Sequence, residues 1–149
     1  MKNIILILIL ITLSNCGYQS VYKNNDNQKF KIVLEEMNGN ISVNNLLRSN
    51  LKRYSSDISE EIYYVQTEAY FNRSILAKDK TGKATDIKLN VSVRFIVKYR
   101  DKATNFTLEE SLNIDNSLDA YEQNNYENII KTNFVNSIIE KFVLKVNTL

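Results

Sequence analysis

The chain has 149 residues, 44% of them apolar, with a formal charge of +2, no histidine, no proline and one cysteine. Without histidine it lacks the commonest metal ligand and the commonest general base near neutral pH, and one cysteine forms neither a disulfide nor a paired-thiolate zinc site. Zinc centres and Cys/His or Ser/His/Asp catalysis are therefore excluded, no cofactor is expected, and a pI near 8.5 is too mild for a nucleic-acid-binding domain.

Lys2 and the unbroken apolar run at residues 4–11 have the form of an export signal, and Leu13-Ser14-Asn15 puts the sole cysteine, Cys16, where a lipoprotein signal peptidase cuts. A spanning helix needs about 20 apolar residues, and Ser14, Asn15 and Gly17 end this run well short of that. Residues 1–15 are expected to be a removed signal peptide and the mature chain to begin at a lipidated Cys16. An ordinary secretory signal with an incidental cysteine is the alternative. Lipidation has the stronger support, because a lone exported thiol has no disulfide partner. More than one acyl chain, at about 0.8 kcal/mol per buried CH2, gives a stable membrane anchor. Gly17 is not the aspartate that retains proteobacterial lipoproteins at the inner membrane, so an outer-membrane destination is expected.

Residues 16–29 are polar and Asn-rich beyond the cysteine and read as a linker, which leaves residues 30–149 as a single domain. Residues 30–37 alternate as a strand with Phe30, Ile32 and Leu34 inward, and Asn38-Gly39-Asn40 reads as the turn that ends it. Ser42 is placed to cap a helix whose apolar positions are Val43, Leu46, Leu47, Leu51 and Tyr54. Residues 62–76 form a second strand, with Thr67 and Arg73 as polar exceptions on its apolar face. Residues 78–85 contain Gly82 and read as a hairpin turn. Residues 87–99 then give the cleanest alternation in the chain: Ile87, Leu89, Val91, Val93, Phe95, Val97 and Tyr99 face one way, and Lys88, Asn90, Ser92, Arg94 and Lys98 the other.

A further strand over residues 106–114 is interrupted by Glu110, for which a bulge or a bound partner are the two explanations. The last segment, residues 120–146, is predicted to be a long amphipathic helix. Its stripe is Tyr126, Ile129, Ile130, Phe134, Ile138, Phe142 and Val146, with Asp119, Glu122 and Glu127 toward the positive end of its dipole and Lys141 and Lys145 toward the negative end. The order β-α-β-β-β-α predicts an α+β fold, two helices packed on one face of a four-stranded, mostly antiparallel sheet whose other face is free.

Several local marks occur in sequence order: Cys16-Gly17-Tyr18 followed by Val21-Tyr22, then Asn44, Leu46, Arg48 and Leu51 in the first helix, then Thr81-Gly82-Lys83-Ala84-Thr85 leading into Ile87-Lys88-Leu89, and a tyrosine before a long closing helix. Together they resemble the lipopolysaccharide-assembly lipoprotein family, LptE, from Cys16 to about Val146. The resemblance implies a plug inside the outer-membrane β-barrel LptD, where such lipoproteins assist barrel assembly and help deliver lipopolysaccharide to the cell surface. It also implies a lipopolysaccharide contact at basic residues near the turn between the second and third strands. The matching positions are Lys78, Lys80 and Lys83, with Arg73 and Lys88 nearby on the strands. Ammonium and guanidinium groups suit sugar phosphates. Read from the residues alone, a turn with three lysines is equally a solvated tip that discourages edge pairing. A second basic contact of the family, before the last helix, has no counterpart, because Asp119-Ala120-Tyr121-Glu122 is acidic. Two other functions compete: a free-standing periplasmic lipid- or peptide-binding lipoprotein, and a carboxylate hydrolase using Glu109, Glu110 or Asp115. Neighbouring acids on an alternating strand point to different faces, so no enzyme is expected.

Overall fold

The computed structural model describes residues 30–116 and 119–149. The expected signal peptide, Cys16 and the expected linker lie outside the described residues. The elements are β1 (Phe30–Gly39), α1 (Ile41–Leu51) extended by a 3-10 turn (Lys52–Tyr54), β2 (Glu61–Lys78), β3 (Ala84–Tyr99), β4 (Lys102–Asp115) and α2 (Ala120–Val146). The four strands lie side by side in the order β1-β2-β3-β4, with β1 parallel to β2 and the remaining pairs antiparallel. This is the expected α+β architecture, with both helices on one face of the sheet.

The core lies between that face and the helices. Val91, Val93, Phe95 and Val97 of β3 are buried against Val43, Leu47 and Leu51 of α1 and Val135, Ile138, Ile139 and Phe142 of α2. Phe95 stands at its centre, 4.6 Å from the Phe142 ring and 5.6 Å from that of Phe106. A second group, Ile87, Leu89, Ile114 and Ile130, extends the core toward the β2–β3 hairpin. The opposite face carries Lys88, Arg94 and Lys98, and no described element covers it; Glu35 there accepts from Gln66 at 3.0 Å and from Lys98 at 3.5 Å.

Three local expectations are corrected. Asn38-Gly39-Asn40 is not a free turn: β1 runs through Gly39, and Asn40 rather than Ser42 caps α1, its Oδ1 accepting from the Val43 N–H at 3.0 Å. Asn40 is preferred because its own N–H is already fixed on the Ala69 carbonyl at 2.7 Å, which sets the entry angle of the helix. Second, Tyr126 and Ile129 do not belong to the buried stripe of α2; they are 42% and 59% exposed, and Gln123, Val135 and Ile139 are buried instead. α2 crosses a twisted sheet with α1 at its flank, so the buried face rotates along 27 residues and a straight stripe does not fit. Third, Glu110 marks neither a bulge nor a bound partner: β4 keeps its register with β3 throughout, and the carboxylate accepts from Ser137 Oγ at 2.7 Å and from Lys141 Nζ. The exception at Thr67 has a different character. It is buried opposite Met37, next to an irregularity in β1, and its hydroxyl has no hydrogen-bond partner.

Candidate anion-contact site at the β2–β3 hairpin

The hairpin is held by one carboxylate that the sequence pattern did not single out. Asp79 Oδ1 accepts from the Thr81 N–H at 2.8 Å, the Thr81 hydroxyl at 2.6 Å and the Lys83 N–H at 3.0 Å. Backbone bonds from Asp79 N to Lys83 O and from Gly82 N to Asp79 O close the turn, and Gly82 supplies its positive φ of 87°. The hydroxyl of Thr81, with the two N–H groups and the nearby Lys83 charge, holds the Asp79 carboxyl below its usual range. The aspartate thereby fixes a tip from which Lys78, Lys80 and Lys83 project into solvent.

The five basic residues named from the sequence do not form one patch. Lys88 lies on the uncovered face, beside Ser74 of β2 and Asn113 of β4. Arg73 lies on the helix-bearing face, where its Nε donates to Glu127 at 3.0 Å and its Nη2 to Asn116 at 3.1 Å. Odd-numbered β2 residues face the helices and even-numbered β3 residues face away, so the sheet itself separates these two cations. Arg73 and Lys83 both line an open cavity of about 480 Å³ between the hairpin and the start of α2, together with Asn116, Gln123 and Glu127.

Asn116 fastens this corner, its Nδ2 donating to the Ala84 carbonyl at 2.9 Å and its N–H to that of Thr85 at 2.6 Å. Gln123 donates to Glu127 at 3.0 Å, which leaves its buried Oε1 without a partner. These partners lie more than 40 residues from Arg73 and follow no local pattern. The one trace of them in the sequence is the arginine standing in an otherwise apolar register. At the N-terminus of α2, Asp119 Oδ1 accepts from the Tyr121 and Glu122 N–H groups at 2.9 Å each, so the acidic stretch before the last helix acts as a helix cap.

Compared with solved structures, the chain superposes on the crystal structure of rare lipoprotein B from Shewanella oneidensis with a TM-score of 0.59 and 18% identity, over 79% of this chain and 98% of that one. The solution structure of an uncharacterized lipoprotein B from Nitrosomonas europaea gives a TM-score of 0.50 and 16% identity, over 78% of this chain and 81% of that one. The chain has the fold of rare lipoprotein B. At this identity the likeness is one of fold, and it spans nearly the whole of the Shewanella chain. No family model and no curated protein matches the sequence.

The exposed tyrosines and the three acids sort by face. Tyr63 and Tyr99 stack at 4.4 Å within the core edge, whereas Tyr64 and Tyr70 stand on the uncovered face and Tyr121 on the exposed start of α2. Of the three acids considered for hydrolysis, Glu110 is tied to α2, Glu109 faces the other way and Asp115 lies at the end of β4. They do not converge.

Proposed function

We propose that this protein is an outer-membrane lipoprotein of the LptE kind, anchored through Cys16, which occupies the lumen of the barrel LptD, assists its assembly and helps deliver lipopolysaccharide. The observation that carries the reading is the fold of rare lipoprotein B behind a sequence whose sole cysteine stands at a lipoprotein cleavage site. The uncovered sheet face supports it, because hydrogen-bonding and charged side chains such as Gln66, Arg94 and Lys98 suit a polar barrel interior. In this reading Lys78, Lys80 and Lys83 contact the phosphates of lipopolysaccharide from a tip that Asp79 keeps in shape. Arg73, already paired with Glu127, positions the base of the hairpin. Crosslinking in native membranes followed by identification of the partner tests the reading. A large outer-membrane barrel is the expected product, and recovery of the lipoprotein uncrosslinked to any barrel would favour a free-standing binding lipoprotein.

A further inference from the structure

A cavity of about 300 Å³ lies between β1 and the last turn of α1, and its lining divides by chemistry. The floor is apolar: Ile32 and Leu34 of β1 are half-buried there, and Leu51 of α1 is buried. The rim is rich in donors. Arg48 and Lys52 stand four residues apart where α1 passes into its 3-10 turn, both are exposed, and neither has a carboxylate partner among the described residues. The negative end of the α1 dipole, equivalent to about half a charge, offsets only part of these two positive ones. Ser55 Oγ accepts from the Ile32 N–H at 2.9 Å, so its own hydrogen is left to donate. The one acid of the rim, Asp57, is 93% exposed and already opposed by Lys31 at 3.8 Å.

We propose that this cavity binds an aliphatic carboxylate of the fatty-acid class. Its alkyl chain lies on Ile32, Leu34 and Leu51, and its carboxylate takes the charges of Arg48 and Lys52 and the hydroxyl of Ser55. Each half of the lining excludes a different alternative. An inorganic anion leaves the apolar floor in water, a neutral alcohol leaves two cations unpaired, and a cationic amphiphile meets like charge. The site is separate from the lysine hairpin, because Phe30 of β1 pairs with Glu61 at the start of β2, whereas the hairpin follows Lys78 at its end. Residues 16–29 span at most about 50 Å when fully extended, so an anchor at Cys16 keeps the cavity within that distance of a bilayer. That supply of acyl carboxylates rests on the anchored reading above, whereas the chemistry of the lining does not.

The test uses residues 16–149 carrying Cys16→Ala, so that no detergent competes for the cavity, and follows the methyl resonances of Ile32, Leu34 and Leu51 during titration. The probes are butanoate, hexanoate and octanoate, with acetate and octylammonium as controls. Octanoate is expected to shift these methyls, with affinity rising about fourfold for each CH2 along the series, while acetate and octylammonium leave them unmoved at the same concentration. Arg48→Gln combined with Lys52→Gln should weaken octanoate binding about fivefold and remove its dependence on salt, and both positions are exposed enough to leave the melting curve unchanged. Octylammonium binding as tight as that of octanoate, equal binding of acetate and octanoate, or undiminished binding by the double variant overturns the proposal. Octanoate binding without fatty-acid label on Cys16 in cells sustains the cavity and removes the proposed supply. Label on Cys16 without octanoate binding overturns the cavity alone.

Discussion

Gly39 answers two constraints at once: its φ is +90°, and a Cβ there would sit 2.1 Å from the Ala69 carbonyl oxygen. Gly39→Ala must therefore push two paired strands apart, and a loss of at least about 2 kcal/mol is expected. Gly82 has a similar φ of +87°, but a Cβ there meets nothing within 4 Å, so Gly82→Ala should cost only the backbone term of about 1 kcal/mol. Paired urea melts check the difference, and equal losses would contradict the close approach at Gly39. Glu110 gives a second prediction at this scale. Burial raises its pKa, but hydrogen bonds from Lys141 and Ser137 and the lysine charge outweigh that and hold it below its ordinary value. In the window below the ordinary glutamate range the unfolded chain binds the proton first, so the carboxylate's contribution is present above that window and lost as pH falls through the lowered pKa. Glu110→Gln should flatten that part of the stability-against-pH curve, and an unchanged acid limb would sink the assignment.

At the level of elements, β3 shows most directly what the sheet's two faces contribute. Phe95 is fully buried between the helices and its neighbours, and Phe95→Ala should cost about 3–5 kcal/mol, whereas Ser92→Ala on the uncovered face should stay within about 0.5 kcal/mol. Comparable losses in denaturant would mean that both faces are covered. The hairpin separates binding from folding in the same way. Replacing Lys78, Lys80 and Lys83 together with glutamate should weaken lipopolysaccharide binding, most strongly at low ionic strength, and leave the melting curve nearly unchanged, because a solvated tip makes few core contacts. Arg73→Ala is expected to behave oppositely. It leaves the Glu127 side chain, only 13% exposed, with Gln123 as its remaining donor and should lower stability by about 1–3 kcal/mol. Loss of binding in Arg73→Ala with full stability would move that arginine from the scaffold to the ligand site.

For the whole molecule, the proposed anchor and the fold act as separable parts. Lipid attachment at Cys16 is expected to determine where the domain resides, without contributing to the core that residues 30–149 build. Cys16→Ala should abolish incorporation of a fatty-acid analogue and shift the protein toward the soluble periplasmic fraction unless a barrel retains it. Equal labelling of the variant would show that Cys16 is not the acceptor. Among the described residues no helix is long and apolar enough to cross a membrane.

Alternation in β3 and the capped, dipole-matched α2 were legible because period and charge are local: Ile87 through Tyr99 repeat every second residue whatever they pack against, and the predicted helix bounds at 120 and 146 are those observed. The order of elements followed, and with it the layered α+β class. Only the tertiary structure decided which polar exceptions are satisfied. Arg73 finds Glu127 and Asn116 across more than 40 residues, Glu110 finds Lys141, and Tyr126 and Ile129 turn outward because a twisted sheet presents a rotating face to a long helix. Periodicity records which face a side chain occupies, whereas a partner distant in sequence depends on sheet twist and helix placement, which only the packed core sets.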